Sequence, residues 1–170
     1  MDRALEGARE RGADVEKIVL SDLNIHPCRH CDGCVNTGLC VIRDDMQGLY
    51  PKLRQADRII IASPVFFLNL SAQTKAMIDR CQSLWVTKYV LHEPIGSRGR
   101  KGFLISVGHW KGLGNFQCSM TTVKAFFTTL DVSYAGELLV GAVERKGDIL
   151  NHPTARDNAF AAGARLTSAD

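Results

Sequence analysis

Cys28, Cys31, Cys34 and Cys40 place four of the six cysteines of this 170-residue chain in one short loop, three of them at a strict spacing of three. A loop so short has no room to bury four thiols separately, so the pattern asks for a joint chemistry. Four thiolates suit a zinc ion or an iron–sulfur cluster. Structural zinc more often draws on two cysteine pairs set well apart. A tight C-x2-C-x2-C run closed by one more cysteine suits the wrapping of a [4Fe–4S] cube. Asn36 and Gly38 in the last spacer can turn and bring Cys40 back to the same centre. A set of ordinary or redox-active thiols without metal is the third reading. The spacing leaves all three open.

A second group follows an apolar run. Ser63, Pro64, Val65, Phe66 and Phe67 put two aromatics and several free backbone N–H groups just past Ile59-Ile60-Ile61. Rings that pack on a flat face, beside amides that bond a polar edge, suit a heteroaromatic such as a flavin; packing into the core is the bland alternative. Gly108, His109 and Trp110 begin a glycine-rich stretch where backbone can approach a ligand closely. Neither Gly-x-Gly-x-x-Gly nor a P-loop Lys-Ser/Thr is present. Arg98, Arg100 and Lys101 form a small basic group that suits a nucleotide phosphate or, more simply, a solvated loop. No Ser/His/Asp set and no paired carboxylates stand in a context that asks for acid–base work, so no catalytic side chain is assigned.

The elements that must position these groups alternate. Helical spacing covers 3–12, 44–55, a stretch from Ser71 or Ala72 through Trp85, 115–130 and 153–166, while branched or apolar runs predict strands over 15–20, 57–63, 102–108 and 131–140. Strands alternating with helices imply right-handed crossovers and a three-layer α/β sandwich with a parallel sheet. Ligands bind such sheets at the C-terminal ends of the strands. The cysteine loop, the loop 63–70 and the loop 108–114 are therefore expected to meet at one site. Cys81, on an apolar helix face, reads as core.

Bulk properties narrow the class. Hydrophobic residues make up 45% and charged residues 23%, as in a globular domain, and a net charge of +3 gives no reason to invoke nucleic acid or an anionic membrane. No apolar run is long enough to span a bilayer. The start shows no signal-peptide pattern, and a reducing cytoplasm is the expected setting for the thiols.

With these residues in view, the chain resembles a known family. Ser21-Asp22-Leu23-Asn24-Ile25, Pro27-Cys28, the Cys31/Cys34/Cys40 run and Asp44-Asp45-Met46 resemble the iron–sulfur flavoproteins, which sit among the NAD(P)H-dependent FMN reductases of the flavodoxin-like superfamily. Ser63-Pro64-Val65-Phe66, Ala72-Gln73, Lys75-Ala76 and Ile78-Asp79-Arg80 are similar to that superfamily's flavin-ring segment. The resemblance implies a single flavodoxin-like domain over 1–170, with a cysteine-loop insertion at 26–45. It implies FMN held by the segment 63–70 and the loop after Gly108, and NAD(P)H or a reduced carrier as electron donor. It also implies a [4Fe–4S] centre close to the flavin on Cys28, Cys31, Cys34 and Cys40. A small-molecule or protein redox partner and a homodimer or homotetramer are implied too. A cluster-free NAD(P)H:FMN or quinone reductase, and a non-enzymatic zinc-binding or thiol-sensing module, are the alternatives. Relatives begin with a further strand and a phosphate loop that this sequence lacks. The expectation is therefore a sheet without its first strand, from a chain whose working form is longer.

Overall fold

The computed structural model describes residues 1–168. Three strands make one parallel sheet: β1 (Arg58–Pro64), β2 (Lys101–Val107) and β3 (Ser133–Val140), in that spatial order. Among the described residues six α-helices surround it: α1 (Asp2–Glu10), α2 (Met46–Gln55), α3 (Ala72–Arg80), α4 (Gln82–Tyr89), α5 (Gln117–Thr129) and α6 (Ala155–Thr167). β2 has a partner on each side and is buried from Gly102 to Ser106, as a central strand of a parallel sheet must be. β1 pairs only with β2, so one side of its ladder is open among the described residues.

Helices cover both faces. Ile59, Ile61 and Leu104 meet Met46 and Leu49 of α2, Met77 of α3, Leu84 of α4, and Val123 and Phe127 of α5 in the main core. Phe103 and Ile105 face the other way, toward Ala4 of α1 and Ala159, Ala162 and Leu166 of α6. α1 can press against α6 because small residues line the seam: a Cβ on Gly163 would lie 1.8 Å from the Ala4 carbonyl oxygen. The three-layer α/β class expected from the sequence is the one found.

Two expectations need correction. Residues 15–20 do not form a strand; they run as an irregular, largely exposed segment ending in a single 3₁₀ turn, Leu20–Asp22. Ile18 and Val19 are exposed, and a branched run with no neighbouring strand gains no ladder bonds to offset the entropy of ordering it. The single helix expected from Ser71 or Ala72 through Trp85 is two, broken at Cys81, whose N–H turns back to the Ile78 carbonyl.

Candidate functional site

The first loop at the C-terminal sheet edge is built on buried hydroxyls. The Ser106 hydroxyl donates to the Ser63 carbonyl (2.9 Å) across the β1–β2 pair, and the Ser63 hydroxyl accepts from the Ser71 N–H (2.9 Å). Ser71 then caps α3 by accepting from the Thr74 N–H. Between these anchors, Phe66 and Asn69 exchange both backbone hydrogen bonds (2.8 and 3.0 Å). The two residues inside that bracket, Phe67 and Leu68, have φ of 49° and 63°, as in a type I′ turn. Non-glycine residues hold this conformation against an intrinsic cost of about 1–2 kcal/mol each. The strained turn displays its rings: Phe66 is 59% exposed and Phe67 fully exposed, so neither is core. The backbone N–H groups of Phe67 and Leu68 have no partner among the described residues.

The loop after β2 lies alongside. The Gly108 N–H donates to the Val140 carbonyl, and a Cβ on Gly108 would come within 3.3 Å of Val65 and 2.4 Å of the Asn115 side-chain amide. Asn115, buried, donates to the Trp110 carbonyl (3.0 Å) and so shapes the loop from within. Trp110 is exposed, and His109 lies 3.3 Å from the Glu144 carboxylate, on the loop after β3. Ser63 and Pro64 thus close β1, and Val65, Phe66, Phe67, Gly108, His109 and Trp110 follow in two adjoining loops past the ends of β1 and β2.

The cysteine loop does not join them. Cys28, Cys31, Cys34 and Cys40 line one cavity of about 180 Å³ whose far wall is the end of α3 and the start of α4, with Arg80, Ser83, Trp85 and Val86. None of the cavity's lining residues comes from the loops after β1 and β2. The expectation that three loops share one site is corrected to two sites in the chain. The reason is the anchor. Asp44, just beyond the cysteines, pairs with Arg80 at the C-terminal end of α3, whereas the loop after β1 feeds that helix's N-terminus. A nine-residue helix separates its ends by about 13 Å.

That anchor is buried on both sides. The Arg80 guanidinium donates to the two Asp44 carboxylate oxygens (2.6 and 3.1 Å), to the His26 carbonyl (2.9 Å) and to the Ile42 carbonyl (3.3 Å). Asp44 also accepts from the N–H groups of His26 and Met46 (2.9 and 3.1 Å). Burial works to raise the Asp44 pKa, but Arg80 and the two amides outweigh it and hold the carboxyl below its ordinary value. Burial likewise pushes Cys40 up, and the Ile42 amide, the Tyr50 hydroxyl and Arg80 together bring it below the usual thiol value. Cys34 is raised, first by burial and then by the other three cysteines, its amide opposing.

The donor set fits a thiolate-ligated centre: four cysteines on one cavity, beside a buried cation. Among the described residues no three His, Cys, Asp or Glu side chains are arranged to hold a single metal ion. A lone zinc needs every sulfur about 2.3 Å from one point. A cube of iron and sulfide is itself several atoms wide and keeps its ligands apart.

Sequence reading did not find the Asp44–Arg80 pair. A signal was there: Arg80 falls at helical spacing with Met77 and Leu84 on an apolar stripe, where an arginine requires a partner. The basic group also resolves differently. Arg100 is buried and donates to the carbonyls of Ala56 and Leu53 at the end of α2 and of Leu130 after α5, so it ties helix ends together.

Residues 1–133 match the model of a family described as NADPH-dependent FMN reductase. The chain belongs to this family. Over 154 residues it is 32% identical to an iron–sulfur flavoprotein of Methanosarcina thermophila, a match covering 91% of this chain and 74% of that one. An iron–sulfur flavoprotein of Archaeoglobus fulgidus is 38% identical over 64% of this chain and 53% of its own length. One of Methanocaldococcus jannaschii is 34% identical over 73% and 60% respectively. The chain thus spans between half and three-quarters of these relatives. In fold it is similar to an NAD(P)H:quinone oxidoreductase from Methanothermobacter marburgensis, with a TM-score of 0.75 at 16% identity over 99% of this chain and 87% of that one. A flavone reductase superposes with a TM-score of 0.70 at 20% identity, covering 98% and 55%. These likenesses establish the flavodoxin-like fold of flavin reductases. No helix among the described residues is long and apolar enough to cross a membrane.

Proposed function

We propose that this chain is the redox core of an FMN-dependent oxidoreductase that takes electrons from NAD(P)H or a reduced carrier, with a [4Fe–4S] cluster on Cys28, Cys31, Cys34 and Cys40. The observation that carries the reading is the single cavity lined by all four cysteines, on a chain of the FMN reductase family. When bound, the flavin supplies exchange between a two-electron donor and the one-electron cluster. The protein's part is placement. Phe67 and Leu68 offer unfilled N–H groups that would meet the polar edge of the isoalloxazine, Phe66 and Phe67 offer faces, and Gly108 would let the second loop close on it. His109 and Trp110, on the loop after β2, would narrow access to the ring for the electron donor and acceptor.

The same reading calls for a further parallel strand on the open side of β1, with a helix N-terminus for the FMN phosphate. It also places the protein in a homodimer or homotetramer, facing a small-molecule or protein redox partner in the cytoplasm. A cluster-free reductase with spectator cysteines is the second reading, favoured by the separation of the cysteine cavity from the other two loops.

The test is the visible spectrum of anaerobically purified protein, with iron and acid-labile sulfide assayed, for the chain alone and with upstream codons restored. Flavin bands over a broad iron–sulfur shoulder, with the shoulder lost in Cys31→Ala and the flavin kept, support the proposal. Flavin without iron selects the cluster-free reductase. A colourless protein carrying zinc, or none, refutes both and leaves a zinc or thiol module.

A further inference from the structure

An arginine has five N–H donors. In Arg80 four of them are filled, two by Asp44 and one each by the carbonyls of His26 and Ile42. The fifth, on Nε, is buried and has no acceptor. Native proteins rarely leave a buried donor empty, least of all on a charged group, and an exception calls for a specific cause. The side chain is wholly inaccessible and fixed by the Asp44 fork, so it cannot swing out to water. It lines the cavity that holds the four cysteines. The groups lining that cavity from the loop are the four thiols, the polar residues Arg29, His30 and Asp32, and apolar side chains; from α3 and α4 they are Arg80, Gln82, Ser83 and apolar side chains. Cys40 shares that cavity and stands two residues before Ile42, whose carbonyl the guanidinium already binds. Asp44 already offsets the formal charge of Arg80, so what Arg80 adds at the cavity is direction: one N–H, rigidly held and unspent.

We propose that Arg80 is a positioning residue of the cysteine centre, presenting its unfilled Nε–H to the Cys40 sulfur and thereby favouring the centre's reduced form. The inference rests on the reading of the four cysteines as ligands of a [4Fe–4S] cluster. The chemistry is one electron in, with no bond made or broken and no proton required. The added negative charge spreads over the sulfurs, and a hydrogen bond to sulfur is stronger in the more negative state. Hydrogen bonds to the sulfurs are among the factors that set cluster potentials. Removing this one makes reduction harder.

The experiment is a dithionite redox titration of anaerobically purified protein, followed by cluster absorbance, for wild type and Arg80→Lys. Lysine keeps a positive charge for Asp44 and lacks Nε–H. The expected result is unchanged iron and sulfide per chain, with the equilibrium constant for cluster reduction lowered about tenfold, which is 59 mV for one electron. An iron-loaded variant with the wild-type potential overturns the proposal, even if its thermal stability falls. If Arg80→Lys does not load, the chain carrying Arg29→Gln and heavy-nitrogen arginine decides, since Arg80 is then the one arginine left on the cavity. Pulsed electron paramagnetic resonance of the reduced cluster is expected to show coupling to an arginine nitrogen, and its absence overturns the proposal. Wild-type protein without iron and sulfide refutes the cluster reading itself, an outcome distinct from an unmoved potential.

Discussion

Replacing Asp44 by alanine isolates the strut that ties the cysteine loop to α3. The variant leaves the Arg80 guanidinium buried without its counter-charge and strips the N–H groups of His26 and Met46 of their acceptor. Removing one partner of a buried ion pair costs about 3–5 kcal/mol, because the remaining charge stays desolvated. A domain of this size has a total stability of roughly 5–15 kcal/mol, so the loss is a large share. At roughly 2–4 °C per kcal/mol, the melting temperature is expected to fall by roughly 6–20 °C. Thermal unfolding followed by circular dichroism, with urea midpoints at constant slope, measures it. The double variant Asp44→Ala/Arg80→Met supplies the control. It removes the stranded charge, so it is expected to recover at least about 1 kcal/mol relative to the sum of the single variants. A single-variant loss below about 1 kcal/mol, the value of an exposed pair, would refute the argument that this pair is a buried anchor.

Three further outcomes follow from the same geometry. Asp44 has its folded pKa below the unfolded value of about 3.9, so its contribution is complete above that pH and is lost as pH falls through the folded value. Accordingly the stability gap between wild type and Asp44→Asn is expected to shrink on acidification below about pH 3.9 and to stay flat between pH 5 and 7, as read by urea titration at each pH. Gly163→Ala places a methyl group 1.8 Å from the Ala4 carbonyl oxygen, forcing α1 off α6; a loss of about 1–3 kcal/mol is expected, with increased proteolysis of α1. Phe67→Gly relieves a positive φ and is expected to raise the stability of the cofactor-free chain by roughly 0.5–1 kcal/mol, while weakening flavin binding in fluorescence titration.

The sheet was legible because its strands carry their own signal. Ile59-Ile60-Ile61 and Phe103-Leu104-Ile105 are apolar runs between turn residues, and each does form a strand. Residues 15–20 carry a similar signal and form none, since β-structure depends on a neighbour and propensity does not supply one. The cysteines and the Ser63–Phe67 motif were legible from spacing and residue type. Their separation was not, because it depends on Asp44 finding Arg80, a pair formed across thirty-six positions of sequence. Arg100 misled in the opposite way. Beside Gly99 and Lys101 it reads as solvated, but the carbonyl ends of α2 and α5 converge on it and draw it inside.

The open side of β1 bears on how the protein behaves in a concentrated solution. Its unpaired N–H and C=O groups form a template for another strand, and natural proteins blunt such margins with charge, proline or brevity. Here Arg58 and Pro64 stand at the two ends, and between them run three isoleucines, an alanine and a serine with no gatekeeper. A run of that kind, β-prone and uncharged, is the raw material of cross-β stacking. Whatever strand or partner seats itself on β1 therefore does more than complete a sheet; it decides whether the chain stays dispersed or drifts toward fibrils.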